Sequence, residues 1–277
     1  MVTIRTDGCR VCDCADATPW AQENGFSAVK CKSCNLIYLS PWPDLSDRDR
    51  ALQHGEHAGD RTLRTNTRPG GAAMMRQYKR VLDDLYGTSL TGSRVQWLDI
   101  GCGYGEFLMA LQDRVASDSV LAGSEPNERK AAYASKRGLD VSFKDLDGLS
   151  GGYTHISLLN VFSHLPEPNK VLSQARDLLC EGGEMVVQTG NAGDIDRNDY
   201  PGILWLPDHL IFAGRNTLDV LCEKLGMRIL EVEAYREPSL TPMNIVKDLA
   251  KRVLRPDHNG VKWRGPFRSL WIRAAKN

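Results

Sequence analysis

The chain has 277 residues, of which 42% are apolar and 25% are charged, a composition typical of a globular protein. Its 35 Lys and Arg residues balance its 35 Asp and Glu residues, which argues against a strongly basic nucleic-acid-binding protein. No apolar run approaches the ~20 residues of a membrane span, and the first residues lack the apolar segment of a secretory signal. We therefore expect a cytoplasmic protein without a membrane span.

Five of the eight cysteines lie in the first 34 residues, and four of these form two Cys-x2-Cys pairs. Cys9 and Cys12 are separated by 18 residues from Cys31 and Cys34. Two such turns can direct four thiolates at one Zn²⁺ ion in a closed tetrahedron, which is typical of a structural site. Cys14 could replace Cys12, although its spacing from Cys9 is less usual. Two disulfides are the alternative, and a cytosolic setting disfavours them.

The sequence predicts three parts: a zinc-ribbon module at 1–43, a connector or lid with a helix at 44–90, and a main domain at 91–277. Pro41 and Pro43 end a short apolar strand and mark the first boundary. The connector is polar and contains His54 and His57, which could close over a site. Helical periodicity follows over residues 72–86.

From residue 94 onward, apolar strands alternate with amphipathic helices, which predicts a mostly parallel, doubly wound α/β sheet. The predicted strands are 95–100, 120–124, 141–143, 155–162, 184–188, 227–235 and 269–274. The predicted helices are a stretch ending at Leu111, then 127–137, 170–180 and 217–225. Ligands of such sheets bind beyond the carboxyl ends of the strands.

An Asp-x-Gly-x-Gly-x-Gly pattern at residues 99–105 directly follows the first of these strands. The glycines let backbone N–H groups approach a ligand, and the next helix offers its positive N-terminus. A dinucleotide-binding fingerprint would require glycine where Glu106 stands, so the pattern does not predict a pyrophosphate site. Asp99 suits an ammonium group, and Glu125 could accept both hydroxyls of a ribose. The two carboxylates together favour an amino acid joined to a nucleoside.

Four segments of the main domain resemble the motifs of class I S-adenosylmethionine (SAM)-dependent methyltransferases: LDIGCGYGEF at 98–107, GSEP at 123–126, SHLPEP at 163–168 and LCEGG at 179–183. The zinc-knuckle leader and the PDHLIF segment at 207–212 are similar to one bacterial branch of that family. Members of that branch often belong to pathways for surface polysaccharides, deoxysugars or secondary products. The resemblance implies a Rossmann-like sheet with strand order 3-2-1-4-5-7-6, in which strand seven is antiparallel.

The same resemblance implies which residues meet SAM: Asp99, Gly101, Cys102, Gly103, Glu125, Pro126, Asp145 and Asn160. Asp145 matches the position that commonly meets the adenine amino group, and Asn160 would face the methyl donor. His209 is the preferred general base, because a group titrating near pH 7 can deprotonate a hydroxyl. His164 and Tyr200 are weaker candidates for the acceptor side. For all of these residues, an ordinary packing, capping or loop role is the alternative.

The last 31 residues carry nine Lys or Arg and two Asp, a local charge of +7 in a neutral chain. This segment could attract phosphates of a nucleotide-sugar, a lipid-linked glycan at a membrane, or RNA. The favoured interpretation is an amphipathic helix that packs on the sheet and turns a basic face to solvent.

The sequence therefore predicts a SAM-dependent methyltransferase with a structural Zn²⁺ site. Its expected acceptor is a hydroxyl or activated carbon of a sugar or a small secondary metabolite. An RNA methyltransferase is the first alternative, and overall neutrality disfavours it. A non-catalytic protein that uses the SAM fold for interactions is the second, and the intact glycine pattern argues against it. The oligomeric state stays open.

Overall fold

The structure is a computed structural model that describes residues 3–44, 48–60, 62–64, 68–142, 146–200, 203–235 and 268–277. The strands in chain order are β1 (Ile4–Arg5), β2 (Asp16–Glu23), β3 (Phe26–Cys31), β4 (Ile37–Leu39), β5 (Glu56–His57), β6 (Leu63–Arg64), β7 (Gln96–Ile100), β8 (Val120–Ser124), β9 (Asp140–Ser142), β10 (Tyr153–Leu159), β11 (Leu179–Gly190), β12 (Ile211–Phe212), β13 (Met227–Tyr235) and β14 (Ser269–Lys276). The helices are α1 (Arg48–His54), α2 (Ala72–Tyr86), α3 (Glu106–Gln112), α4 (Glu128–Lys136), α5 (Pro168–Leu178) and α6 (Arg215–Lys224).

The main sheet has seven strands in the order β13-β14-β11-β10-β7-β8-β9. Numbered from β7 along the chain, this is the predicted order 3-2-1-4-5-7-6, read from the other edge. β14 runs antiparallel to both β11 and β13, and the remaining pairs are parallel. The predicted Rossmann-like α/β fold is thus confirmed. The carboxyl ends of β7, β8 and β10 meet at one edge, where the glycine pattern follows β7.

Some strand boundaries differ from the prediction for local reasons. β10 ends at Leu159 rather than residue 162, because Asn160 adopts a left-handed backbone with φ of 58° and a 3-10 turn follows at Phe162–His164. α5 ends at Leu178 because Leu179 is extended. β11 begins there, earlier than predicted, and its pairing with β10 shifts register between Tyr153 and His155.

The N-terminal residues form a second sheet, of which the sequence predicted only the strand at 36–39. Its order is β1-β2-β3-β4-β12, and all of its pairs are antiparallel. The fifth strand, β12, comes from the main-domain part of the chain and pairs Ile211 with Tyr38. Main-chain hydrogen bonds therefore join the cysteine-containing sheet to the segment that carries His209. The predicted domain boundaries stay predictions.

The core divides into two clusters. One contains the cysteine-containing sheet together with α5, α6 and one face of the main sheet. The other packs α2 and α3 on the opposite face around Trp97 and Trp271, both essentially inaccessible to solvent. No helix within the described residues is both long and apolar enough to cross a bilayer.

Residues 236–267 lie outside the described residues, and they include most of the basic C-terminal segment, so its predicted helix has no structural account. Two of its basic residues fall in β14 and have local partners. Arg273 donates two hydrogen bonds to Glu184, at 2.7 and 2.8 Å. Lys276 donates from Nζ to the Leu179 carbonyl oxygen at 2.8 Å. These two side chains therefore join β14 to the neighbouring strand β11.

Candidate active site

The loop after β7 has its backbone pressed against neighbouring side chains. Gly101 has φ of 70°, and a Cβ atom there would lie 2.4 Å from Cγ2 of Val161. A Cβ on Gly105 would lie 2.2 Å from Cδ1 of Leu139. Both positions have a positive φ as well as little space, and therefore strongly favour glycine. At Gly103, by contrast, a Cβ would meet no atom of the described chain within 4 Å, which leaves room for a ligand beside that backbone.

Two of the predicted cofactor residues are carboxylates buried beside this loop. Glu125 accepts hydrogen bonds from the N–H groups of Gly103 at 2.7 Å and Asn127 at 2.9 Å. Asp99 accepts a hydrogen bond from Ser157 Oγ at 2.6 Å, and Trp97 Nε1 donates to the same hydroxyl at 2.9 Å. Burial raises the pKa of Asp99 to about 7, although the Ser157 hydrogen bond opposes the shift and nearby carboxylates reinforce it.

A third buried carboxylate, Glu106, belongs to this group although it was not predicted as a site residue. It begins α3 and accepts a hydrogen bond from the Gly70 N–H at 2.6 Å. Its charge also helps to raise the pKa of Asp99. The sequence could have indicated Glu106 as a site residue, because it lies within the LDIGCGYGEF motif. The concentration of negative charge beside an open backbone suits a cationic ligand.

The remaining predicted cofactor residues differ in their surroundings. Cys102 is buried within the glycine loop. Pro126 and Asn160 are exposed at the carboxyl edge of the sheet, after β8 and β10 respectively. Asp145 lies outside the described residues, so its predicted contact with adenine has no structural account.

Two histidines from distant parts of the chain meet at the Asp208 carboxylate. His57, in β5 of the connector, places Nε2 3.0 Å from the Asp208 carboxylate. His164, in the turn after β10, places Nδ1 3.2 Å from the same carboxylate oxygen and 2.8 Å from the Asp208 carbonyl oxygen. Burial by itself would raise the pKa of Asp208, but the hydrogen bonds with His164 and His57 outweigh it and hold that pKa well below its usual range.

The hydrogen bonds define the ring proton of His164. A carbonyl oxygen only accepts, so Nδ1 of His164 must carry the proton and donate it to Asp208. In the neutral ring, Nε2 then bears the free lone pair. The His164 side chain is 20% exposed, whereas those of His57 and Asp208 are each 7% exposed. His164 therefore offers the more accessible ring of the two histidines held by Asp208.

His209, predicted as the base, packs edge-on against His164, with ring centroids 4.9 Å apart. Burial, reinforced by repulsion from the His164 ring when that ring is protonated, lowers the pKa of His209 to about 4. Its ring is therefore neutral at pH 7 and a weak proton acceptor. The sequence placed both histidines on the acceptor side; their contact with each other and with Asp208 could not be read from it.

The His164 group lies near the glycine loop. Val161, which packs on Gly101, accepts the His164 N–H hydrogen bond at 2.9 Å through its carbonyl oxygen. The connector also reaches this edge, because Asn127 donates from Nδ2 to the Leu52 carbonyl oxygen at 3.2 Å. Buried His57 therefore belongs to this edge, whereas His54 is exposed at the end of α1.

Tyr200, the third predicted acceptor-side residue, contacts the N-terminal sheet. Its ring meets Trp20 edge-on, with centroids 5.7 Å apart. Arg197 lies over both rings, 5.5 Å from the Trp20 centroid and 5.8 Å from that of Tyr200. A role for Tyr200 in acceptor binding stays a prediction.

Four cysteine sulfurs converge in the N-terminal sheet. Cys9 and Cys34 place their sulfurs 3.4 Å apart, and those of Cys12 and Cys31 are 3.5 Å apart. All four sulfurs lie within 4.8 Å of one another, and each thiol is free. Zn–S bonds of about 2.3 Å in a tetrahedron place sulfurs at comparable separations. Cys14 lies outside this group, and its sulfur contacts the Asp16 carbonyl oxygen at 3.8 Å instead.

Comparison with known proteins identifies relatives of this chain. A tRNA U34 carboxymethyltransferase from Pseudomonas fluorescens is 30% identical over 110 residues, which are 36% of this chain and 33% of that protein. A ubiquinone biosynthesis O-methyltransferase from Erwinia tasmaniensis is 26% identical over 113 residues, 38% of this chain and 46% of that protein. The chain thus spans less than half the length of either curated relative.

A structural relative covers more of the chain. The magnesium protoporphyrin IX methyltransferase from Synechocystis PCC 6803, solved with bound SAH, aligns with 76% of this chain and 90% of its own. The TM-score is 0.51 and the sequence identity 13%, so this likeness shows the fold. The methyltransferase domain family matches residues 61–232, well over half of the chain. The chain therefore belongs to the methyltransferase domain family.

Proposed function

We propose that this protein transfers a methyl group from SAM to a hydroxyl or activated carbon of a sugar, such as a nucleotide-sugar or glycan, or of a small secondary metabolite. Family membership and the glycine loop support methyl transfer. Buried Asp99 and Glu125 complement the ammonium and ribose ends of SAM. Asn160 and Gly103 lie at the same edge, and Asp145 would meet the adenine.

One observation carries the choice of a hydroxyl acceptor: Asp208 fixes the ring proton of His164 on Nδ1. The free Nε2 can then take the proton of a hydroxyl whose oxygen attacks a methyl carbon. SAM, when bound, supplies that methyl on a positively charged sulfur, which keeps the bonding electron pair as SAH leaves. Asp208 orients His164 and stabilises its ring once protonated, and we therefore propose His164, rather than His209, as the base.

A structural Zn²⁺ ion at Cys9, Cys12, Cys31 and Cys34 completes the proposal. The sulfur separations fit four thiolates around one ion and leave no open position. The ion would hold the N-terminal sheet, whose strand β4 pairs with β12, and β12 begins two residues after His209. The metal site therefore supports the acceptor side of the protein and takes no part in the chemistry.

Methyl transfer from labelled SAM into two extracts tests the acceptor class. The extracts are total RNA, and small molecules with nucleotide-sugars, both from cells that lack the gene. We expect label in the small-molecule extract. Label in RNA would favour an RNA acceptor, as the name of the tRNA U34 carboxymethyltransferase relative indicates for that protein, and would overturn the proposal. Label in neither extract despite SAM binding would contradict a free acceptor and favour a lipid-linked or protein-bound one. Absence of SAM binding would favour the non-catalytic alternative.

The raised pKa of Asp99 predicts how SAM affinity depends on pH. Below a pKa of about 7, binding the SAM ammonium must first displace a proton from Asp99, so affinity rises as that carboxyl ionises. Between pH 5.5 and pH 7 the ionised fraction of Asp99, and hence the affinity for SAM, increases by roughly fifteenfold, while the α-amino group stays charged. Calorimetric titration at several pH values measures this slope. Asp99→Asn is expected to bind more weakly and without the slope; an unchanged slope would exclude Asp99 as the ammonium partner.

A further inference from the structure

The β2–β3 hairpin of the N-terminal sheet holds the segment that leads to Asp208. Glu23, the last residue of β2, accepts hydrogen bonds from the N–H groups of Leu204 at 2.8 Å, Trp205 at 2.8 Å and Leu206 at 3.4 Å. The next residue, Asn24, donates from Nδ2 to the Leu206 carbonyl oxygen at 2.8 Å. One carboxylate thus gathers three successive backbone donors, an arrangement known to bind anions.

The segment at residues 204–206 contains an unusual backbone conformation. Trp205 adopts φ of 63°, a left-handed conformation that is an outlier for a bulky side chain. Its side chain does not explain this, because it is 42% exposed, whereas Leu204 and Leu206 on either side are fully buried. Such conformations persist where surrounding contacts impose them, and they concentrate at functional sites. The Glu23 carboxylate contacts this backbone directly, because it accepts the Trp205 N–H.

The same turn carries the residues of the proposed base. The His209 N–H donates to the Trp205 carbonyl oxygen at 3.1 Å, so Asp208 lies inside a turn anchored at Trp205. We propose that Glu23 is a positioning residue of the methyl-transfer site: by fixing the backbone at residues 204–206, it places the Asp208 carboxylate between His57 and His164. The inference rests on the proposed function, and it links the metal-binding module to proton transfer through one side chain.

Ring ¹⁵N chemical shifts of the histidines test the proposal without an acceptor. In the wild-type protein His164 should carry its proton on Nδ1 and His57 should carry it on Nε2. Glu23→Ala should return both rings to the mixed tautomers of a free imidazole, while Glu23→Gln should keep part of the pattern because its amide oxygen still accepts. Gln22→Ala, an exposed neighbour on the same strand, is the matched control and should match wild type.

Rate measurements add a second readout. With whichever extract accepts label, Glu23→Ala should lower kcat at least tenfold at saturating SAM, with SAM affinity unchanged and partial recovery in Glu23→Gln. Wild-type histidine shifts in a folded Glu23→Ala protein would overturn the inference, as would altered shifts at an unchanged kcat. If no extract accepts label, the proposed free acceptor is contradicted, but the shifts still decide whether Glu23 positions Asp208. Should Glu23→Ala not fold, Glu23→Gln alone must show the intermediate shifts, and wild-type shifts there would contradict the proposal.

Discussion

Replacing Cys34 with Ser is expected to abolish metal binding and to unfold the N-terminal sheet. Cys34 is fully buried in the four-sulfur group, and its carbonyl oxygen accepts a hydrogen bond from Thr217 Oγ1 at 2.9 Å, which ties the module to α6. A structural Zn²⁺ site contributes about 10–16 kcal/mol in isolated zinc-binding peptides. That is comparable to the whole stability of an ordinary domain, about 5–15 kcal/mol. Because β12 pairs with β4, we expect the loss to disturb the segment around His209 as well.

Metal content and thermal stability measure this effect. We expect one zinc per wild-type chain by elemental analysis, and little metal with a strongly lowered Tm, or no recoverable protein, for Cys34→Ser. Cys14→Ser is the matched control, because its sulfur lies outside the group, and it should keep the full metal content. A wild-type protein that purifies without metal would contradict the zinc site. Loss of metal from Cys14→Ser would mean that this thiol is a ligand after all.

The second large effect is expected from His164→Ala, which should lower kcat by about 10²–10⁴ because general-base catalysis contributes a factor of that size. SAM affinity should stay unchanged, since the predicted SAM contacts do not include this ring. Asp208→Asn should also lower kcat, because the amide cannot stabilise the protonated ring and can impose the wrong tautomer. Steady-state rates with the accepting extract measure both variants.

Two further variants serve as a control and as a test of the alternative base. Lys170→Ala, exposed at the start of α5, should leave kcat at the wild-type value. His209→Gln should have a smaller effect than His164→Ala, because burial lowers the pKa of His209 to about 4 and makes it a poor base. A large loss in His209→Gln together with a nearly normal His164→Ala would assign the base to His209, as the sequence first indicated.

Local sequence determined much of this protein. The spacing of apolar residues predicted most strands of the main sheet, since alternation and helical periodicity reflect local burial. The glycines at 101–105 predicted the ligand loop, because glycine best tolerates the positive φ and the close contacts with Val161 and Leu139. The two Cys-x2-Cys pairs predicted a four-sulfur group, and the structure brings those four cysteines together. In each case the information lies within a few neighbouring residues.

Tertiary structure alone decided the arrangement of the proposed chemistry. Asp208 meets His57 and His164 across separations of 151 and 44 residues, and no local pattern encodes such contacts. The same holds for Glu23, whose partners lie about 180 residues away, and for β12, which joins the N-terminal sheet. The sequence showed which residues could do chemistry, because composition and spacing are local properties. Which of them act together depends on the folded chain, because packing sets the distances and the burial that tune each group.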